Sequence, residues 1–449
     1  MNLDRAFKLY DIRGPYPEVV DERLAFILGR GLSIFKQSHR VLIASDIRHS
    51  SPSLKRFLAA GFAASNVSVF DLAEVPTPQF YYSVASSNFD LGVMITASHT
   101  GEEENGFKPV TKNGLPFDEG EIMALKETLK TLTKEKAVVA TSRPERLNTT
   151  ATYLQAITAQ LSNKSFKSRV VLDMTKSSVA SVVPGLFHSL KIDYHLVKSD
   201  HQGNPLLPEN RRDLEKEVRL QKADLGIMWD TDGDRVAFID RFGTLIPMSF
   251  ILGFLAQSAL KLNRGKKIAV DVRAGLVVRD LVTRAGGELL IVPAWHQNLQ
   301  FAMLSDPEII FAGETTGHFL YRDFYKIDDG LLAALLFLRA FEDDGIEDQV
   351  NSLKKKYFEL PEKNFACSDQ IAPNVLQKLT GYYRLKGESV SLKDGLTVFG
   401  SNWRFNLRQS ATEPFLRLNF ESRSDSQAST IINTIQSQID AAQKSLTHE

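Results

Sequence analysis

One pattern occurs three times in this chain and limits what it can fold into. A basic residue opens a short apolar run that ends in Asp. A helical stretch follows, and a second apolar run closes the unit. The copies begin Arg40-Val-Leu-Ile-Ala-Ser-Asp46, Arg169-Val-Val-Leu-Asp173 and Lys267-Ile-Ala-Val-Asp271. Helical stretches are expected near 53–65, 182–190 and 276–285, and second strands at 67–70, 194–197 and 288–292. Strand–helix–strand units with short connections imply parallel strands joined by right-handed crossovers. The strand-ending Asp residues lie 127 and then 98 positions apart, so each unit is domain-sized. The pattern predicts three related α/β domains with mixed sheets.

The tail breaks the pattern. From about residue 356, Thr397-Val-Phe, Trp403-Arg-Phe-Asn-Leu and Phe415-Leu-Arg-Leu-Asn-Phe read as strands, and a helix over 426–445 closes the chain. Strands joined by a polar turn and followed by a helix predict a small α+β domain. The expected divisions are 1–148, 149–243, 244–355 and 356–449, packed domains with one hinge before the tail.

Composition narrows the function classes. Lys+Arg and Asp+Glu are both 54 among 449 residues, so no net field would gather nucleic acid or an anionic membrane. One cysteine, Cys367, excludes an intramolecular disulfide and suits a reducing compartment. The first residues have no apolar run of the signal-peptide kind, and the longest greasy stretch, 331–338, is too short to span a bilayer. A soluble cytoplasmic protein, monomeric or weakly dimeric, is expected.

The chemistry concentrates in a few segments. Asp230-Thr-Asp-Gly-Asp-Arg235 places three carboxylates at alternate positions after the apolar run Leu225-Gly-Ile-Met-Trp229. Acids this close repel one another unless a cation lies among them. All-oxygen ligands suit a hard divalent ion, and Mg2+ when a phosphate completes the shell. The EF-hand alternative fails, because its sixth and twelfth positions would be Arg235 and Arg241. A haloacid-dehalogenase-like phosphatase with Asp230 as nucleophile remains the rival, although Asp234 is unusual for it.

Thr96-Ala-Ser-His-Thr-Gly101 follows the apolar run 91–95, which puts Ser98 at a strand's C-terminal edge. Neighbours on an extended segment face opposite ways, so His99 is poorly placed as a base for Ser98. A serine without a base makes sense as a phosphate carrier opposite a metal. Gly313-Glu-Thr-Thr-Gly-His318 offers Glu314 and Thr316 to hydroxyl groups. Arg408-Gln-Ser-Ala-Thr-Glu-Pro-Phe-Leu-Arg417 brings two arginines, Ser410 and Thr412 to one turn, a pattern suited to phosphate. Tyr10-Asp-Ile-Arg-Gly14 adds Tyr10 and Arg13 near the start.

Together these segments resemble the α-D-phosphohexomutase superfamily, its phosphomannomutase/phosphoglucomutase branch most of all. The resemblance runs from Tyr10 to Glu421 with the motifs in family order, and Asn204-Pro and Pro208-Glu-Asn210 match as well. It implies a four-domain, heart-shaped enzyme that moves a phosphoryl group between O6 and O1 of a hexose phosphate. Ser98 would carry the phosphate, through a hexose 1,6-bisphosphate. It implies Mg2+ on Asp230, Asp232, Asp234 and a Ser98 phosphate oxygen. Arg13, Lys108, His99 and His318 become the catalytic candidates. Tyr10, Arg235, Glu314, Thr316, Arg408, Ser410, Thr412 and Arg417 become the substrate contacts. Mannose phosphate is the expected substrate, with glucose phosphates beside it. A glucosamine phosphate mutase and a sugar-phosphate-binding protein without turnover are the alternatives. Several positions depart from the family pattern. Thr100-Gly101 stands for the usual Asn-Pro, and Thr316 for Ser. Thr175-Lys-Ser177 replaces a glycine-rich turn, and Trp295 the Gly before His296.

Overall fold

The computed structural model describes residues 3–138, 143–162, 165–199, 203–261, 263–410, 413–423 and 428–446, without the side chains of 442, 443, 445 and 446. The chain divides into two compact units, Met1–Ile246 with Thr316–Glu342, and Pro247–Thr315 with Asp343–Glu449.

The first unit contains two mixed sheets. Strands β1 (Ile12–Pro15), β2 (Arg40–Ser45), β3 (Ser68–Glu74), β4 (Leu91–Ile95), β5 (Glu104–Thr111) and β6 (Glu145–Arg146) lie in the order β1-β5-β4-β2-β3-β6. Strands β7 (Arg169–Asp173), β8 (Asp193–Leu196), β9 (Leu225–Trp229) and β10 (Val236–Asp240) lie in the order β10-β9-β7-β8. In the second unit, β11 (Lys267–Asp271) runs parallel to both β12 (Glu288–Val292) and β13 (Ile309–Gly313).

The threefold repeat therefore has a common topology. In each copy the strand ending in Asp is central, flanked in parallel by the next strand and by the one after it: β3 and β4 around β2, β8 and β9 around β7, β12 and β13 around β11. Central parallel strands are covered on both faces, which is why they read as unbroken apolar runs. The helices fall within about two residues of expectation: Ser51–Ala63, Val183–Ser189 and Leu276–Arg284.

Helix Glu22–Lys36 is capped by Asp21, whose carboxylate accepts the Leu24 N–H at 2.7 Å. It packs against helix Ser51–Ala63 at two glycines. A Cβ on Gly29 would stand 2.4 Å from the Leu58 carbonyl oxygen, and one on Gly61 2.1 Å from that of Phe26. The two backbones touch because neither residue has a side chain. The core of this first sheet includes Leu24, Ile27, Leu28, Leu58, Phe62, Val93 and Phe107.

The tail holds more than the sequence suggested. After β14 (Phe319–Tyr321), the second unit's last strands are β15 (Phe358–Glu359), β16 (Lys363–Ala366), β17 (Ser389–Ser391), β18 (Leu396–Phe399), β19 (Trp403–Gln409) and β20 (Phe415–Ser422). They form an antiparallel sheet, β15-β20-β19-β18-β17, with β16 also on β20. Only β18 to β20 were expected. Strands β15 to β17 are two to four residues long and carry no apolar alternation to read. Helix Ala372–Leu385 was also unforeseen. The closing helix spans Ala428–Leu446, and residue 426, its expected start, lies outside the described residues. Among the described residues no helix is long and apolar enough to cross a membrane.

Candidate active site

The three acids of the loop after β9 are fully buried, and an oxygen from each lies within 4.8 Å of the others. Gly233, at φ +78°, makes the turn that brings them together. Asp230 Oδ1 accepts the backbone N–H groups of Gly233 at 3.1 Å and Arg235 at 3.2 Å. Burial, then the charges of Asp234 and Asp232, push the Asp230 carboxyl well above the carboxylate range.

Lys108, on β5, supplies the cation that the cluster demands. Its Nζ stands 2.9 Å from Asp232 Oδ2 and 2.8 Å from Asp234 Oδ2. Burial alone would depress this ammonium. Asp232 and Asp234 outweigh it and lift the pKa well above the lysine value. Asp232 Oδ2 also accepts Thr77 Oγ1 at 2.9 Å and Thr96 Oγ1 at 3.3 Å. Asp232 Oδ1 is buried with no hydrogen-bond partner among the described residues. A hard, all-oxygen donor set, an orphaned carboxylate oxygen and a lysine in the role of counter-ion fit a divalent metal site.

Ser98 belongs to the same constellation. It is 4% exposed, and its Oγ lies 3.3 Å from Asp230 Oδ2. The expectation of an extended segment is corrected here: Ser98 has φ +54°, the left-handed region that a non-glycine residue enters at a cost. Strand alternation therefore does not set the directions of the Ser98 and His99 side chains. Ser98 Oγ meets a carboxylate oxygen of the acidic loop instead. The Arg235 charge, then burial, then Arg13 hold the His99 imidazole well below its ordinary pKa, so it is neutral at neutral pH. Arg13 lies on β1 beside Asp11 at 3.3 Å, and Tyr10 is half-buried in the bend before that strand.

His318 is buried between two partners. Arg235 Nε donates to His318 Nε2 at 2.9 Å, and His318 Nδ1 lies 2.7 Å from Asp328 Oδ2. An arginine cannot accept, so the ring proton is on Nδ1 and points to Asp328. Thr316, in the first unit, is half-buried in the loop before β14.

In the second unit, Glu314 follows β13 and is 3% exposed. Arg273 Nη2 reaches its Oε2 at 2.6 Å and also pairs with Asp271. On β19 and β20, Arg408 and Arg417 are direct cross-strand partners. They are not equivalent. Arg417 is held by Glu362 at 3.3 Å and Glu413 at 2.6 Å. Among the described residues the carboxylate nearest Arg408 is Glu362 at 3.9 Å, while the Nε atoms of both arginines are buried without a hydrogen-bond partner. Burial, then the Arg273 charge, lower the Arg408 pKa. Ser410 is buried beside them, and Thr412 lies outside the described residues. Glu421 accepts the Leu276 and Val277 N–H groups and so caps helix Leu276–Arg284.

Sequence reading missed Arg48, Thr77, Thr96, Ser177, Ser178, Arg273 and Asp328. A signal existed for two of them: Asp46-Ile-Arg48 and Asp271-Val-Arg273 repeat the same spacing after equivalent strands.

Four family profiles of the phosphoglucomutase/phosphomannomutase group match in succession. They are α/β/α domain I over residues 4–136, domain II over 151–243, domain III over 248–361 and the C-terminal domain over 358–437. A protein described as phosphohexose mutases from Xanthomonas campestris pv. campestris is 31% identical over 432 residues, covering 94% of this chain and 95% of that protein. A phosphomannomutase from Vibrio cholerae is 30% identical over 447 residues, covering 93% and 94%. The crystal structure of a phosphoglucomutase/phosphomannomutase family protein from Burkholderia thailandensis superposes with a TM-score of 0.85 at 27% identity, covering 99% of this chain and 98% of that one. Matches of this length and identity, on a chain that buries a serine against three aspartates, show that it belongs to the phosphoglucomutase/phosphomannomutase family.

Proposed function

We propose that this chain is a phosphohexomutase that interconverts hexose 6-phosphates and hexose 1-phosphates, with Ser98 as phosphate carrier. The observation that carries the reading is Ser98 Oγ at 3.3 Å from Asp230, in a buried cluster with Asp232, Asp234 and Lys108. A Mg2+ ion held by Asp230, Asp232 and Asp234 would stabilise negative charge on the transferring phosphoryl oxygens.

The transfer runs in two halves. In the first, the Oγ–P bond of phosphoserine 98 breaks, an O–P bond to the free sugar hydroxyl forms, and the hydroxyl proton leaves to a base. The product is a hexose 1,6-bisphosphate. In the second, the sugar presents its other phosphate, that O–P bond breaks, the Oγ–P bond re-forms and the proton returns.

The candidate bases differ in their surroundings. Arg13 has no accessible neutral form. Lys108 pairs with Asp232 and Asp234, the acids that would hold Mg2+, which suits it to serve as a cation beside the transferring phosphoryl group. His318 has its Nδ1 proton directed at Asp328, and its Nε2 lone pair accepts from Arg235, so it can take a proton only when that guanidinium turns away. His318 is our candidate base, acting once Arg235 has turned to the phosphoryl oxygens. Arg235, beside both His318 and Asp230, is placed to steady phosphoryl oxygens. In the second unit, Arg408, less committed than Arg417, is the candidate ligand for the phosphate that is not reacting. Glu314, oriented by Arg273, is a candidate acceptor for sugar hydroxyls. Family membership leaves the phosphatase reading, with Asp230 as nucleophile, without support.

The test is a coupled mutase assay with added hexose bisphosphate, run beside mass spectrometry of the Ser98 peptide. Phosphate should appear on Ser98, and Ser98→Ala should lose nearly all turnover; full activity in that variant overturns the reading. Mannose and glucose 1-phosphates should both react, with kcat/KM values within roughly a hundredfold of each other, the range of a weak steric preference. A 2-amino sugar phosphate should react more slowly. A gap above roughly ten-thousandfold between mannose and glucose would mean that a polar group reads C2 directly.

A further inference from the structure

Arg48 is buried, 4% exposed, and stands outside every motif that marked the chemistry. All five of its side-chain N–H donors are used. Nε donates to Asp46 Oδ2 at 3.1 Å. Nη1 donates to the carbonyls of Gly101 at 2.6 Å and Glu104 at 3.1 Å. Nη2 donates to the carbonyls of Ser98 at 2.7 Å and Thr100 at 2.8 Å. One guanidinium thus gathers four carbonyls of the loop that bears Ser98, and its charge is balanced by a carboxylate at the end of β2. The family's usual Asn-Pro is absent from this loop, where Thr100-Gly101 stands instead. A Cβ on Gly101 would meet nothing within 4 Å, so packing around that residue does not hold the loop either.

The same device recurs in each repeat. Asp46, Asp173 and Asp271 each accept the backbone N–H two residues on, from Arg48 at 3.0 Å, Thr175 at 3.0 Å and Arg273 at 3.1 Å. In every case the turn so formed grips the loop at the end of the neighbouring parallel strand. Arg48 takes the loop after β4. Ser177 Oγ donates to the Asp230 carbonyl at 2.5 Å, and Ser178 N and Oγ donate to that of Thr231 at 2.8 and 3.1 Å, after β9. Arg273 takes Glu314, after β13. Three loops proposed to carry phosphate, metal and sugar are each tied to the turn that follows the repeat's central strand.

We propose that Arg48 is a positioning residue for phosphoryl transfer. It holds the Ser98 loop in the left-handed turn that aims Oγ at the acidic cluster. This rests on the reading of Ser98 as phosphate carrier. Lysine has three donors around a point charge and cannot span four carbonyls as a planar fork does.

The test is Arg48→Lys, with Asp46→Asn/Arg48→Met as a second variant that leaves no buried charge unpaired if the first does not fold. Arg48→Lys should lose roughly a hundredfold in kcat, the scale of a misplacement of about 1 Å at a reacting atom. KM for hexose phosphate should stay within about threefold, because Arg48 touches neither substrate nor metal in this reading. Mn2+ affinity at the aspartates, measured by titration calorimetry, should be unchanged, while the single-turnover rate of Ser98 phosphorylation by hexose bisphosphate falls with kcat. A folded variant with kcat within about threefold of the parent overturns the inference. So does a variant in which Mn2+ affinity and kcat fall together, since that marks general loss of structure. Failure of the phosphoserine reading shows separately, as wild-type protein that takes no phosphate on Ser98.

Discussion

At the scale of single residues, the site is a set of charges that only make sense together. Three buried aspartates require a cation, and Lys108 answers that requirement. His318 gains its tautomer in the same way, from one donor and one acceptor on opposite sides of its ring. Asp328 is the half of that arrangement that can be altered without touching the imidazole. Asp328→Asn removes the negative charge that would stabilise an imidazolium while keeping an oxygen near Nδ1. General acid–base catalysis contributes about 10²–10⁴ in rate, so kcat should fall by roughly tenfold or more, with KM for hexose phosphate little changed. A pH–rate profile through the neutral range is the discriminating measurement. An unchanged kcat and an unchanged profile would remove His318 from proton transfer.

At the scale of elements, the contact between helices Glu22–Lys36 and Ser51–Ala63 is the tightest test of the first sheet's packing. Gly29→Ala would put a methyl 2.4 Å from the Leu58 carbonyl oxygen, so the helices must move apart. Overpacking of this kind costs about 1–3 kcal/mol. The unfolding midpoint in urea should fall for Gly29→Ala but not for Gly101→Ala, where the added Cβ meets open space; equal midpoints would mean that the interface has slack. The same elements show what the sequence made legible. The three central strands were readable because burial on both faces leaves unbroken apolar runs. The acidic loop was readable because three carboxylates at alternate positions within five residues have few other uses. Strands β15 to β17 were not, since strands of two to four residues carry too little periodicity. Ser177 and Ser178 were not readable because their work is done through backbone carbonyls, and a carbonyl leaves no trace in residue identity; Arg48 left only the Asp-x-Arg spacing that it shares with Arg273. The left-handed turn at Ser98 was hidden for a related reason: it is imposed by Arg48 from another strand's end, not by a glycine in place.

At the scale of the whole molecule, buried carboxyls should make stability depend on pH with a definite sign. Asp329, in the first unit, is fully buried. Its Oδ1 accepts the N–H groups of Leu331 at 2.9 Å and Leu332 at 2.8 Å, and Tyr153 Oη donates to Oδ2 at 2.8 Å. Burial outweighs these bonds and pushes its pKa up to about 7. In the second unit, burial and then the neighbouring Glu421 push Glu359 up to about 8. Both groups have ordinary values near 4 in an unfolded chain. Between those limits the folded protein binds more protons than the unfolded one, so stability falls as pH rises. The contribution is complete below about pH 4 and is lost as pH passes through about 7 and then 8. Asp329→Asn isolates one share of it. The amide oxygen can keep both backbone N–H groups, the amide nitrogen can donate to Tyr153 Oη, and no proton need be bound. Thermal unfolding in the presence of chelator, at pH 5 and pH 8, should show the parent losing ground to Asp329→Asn as pH rises. The variant's curve should be flatter, because groups common to both proteins cancel in the comparison. Parallel curves would show that Asp329 stays ionised in the folded protein across that range, and that its three hydrogen bonds, not its burial, set its charge.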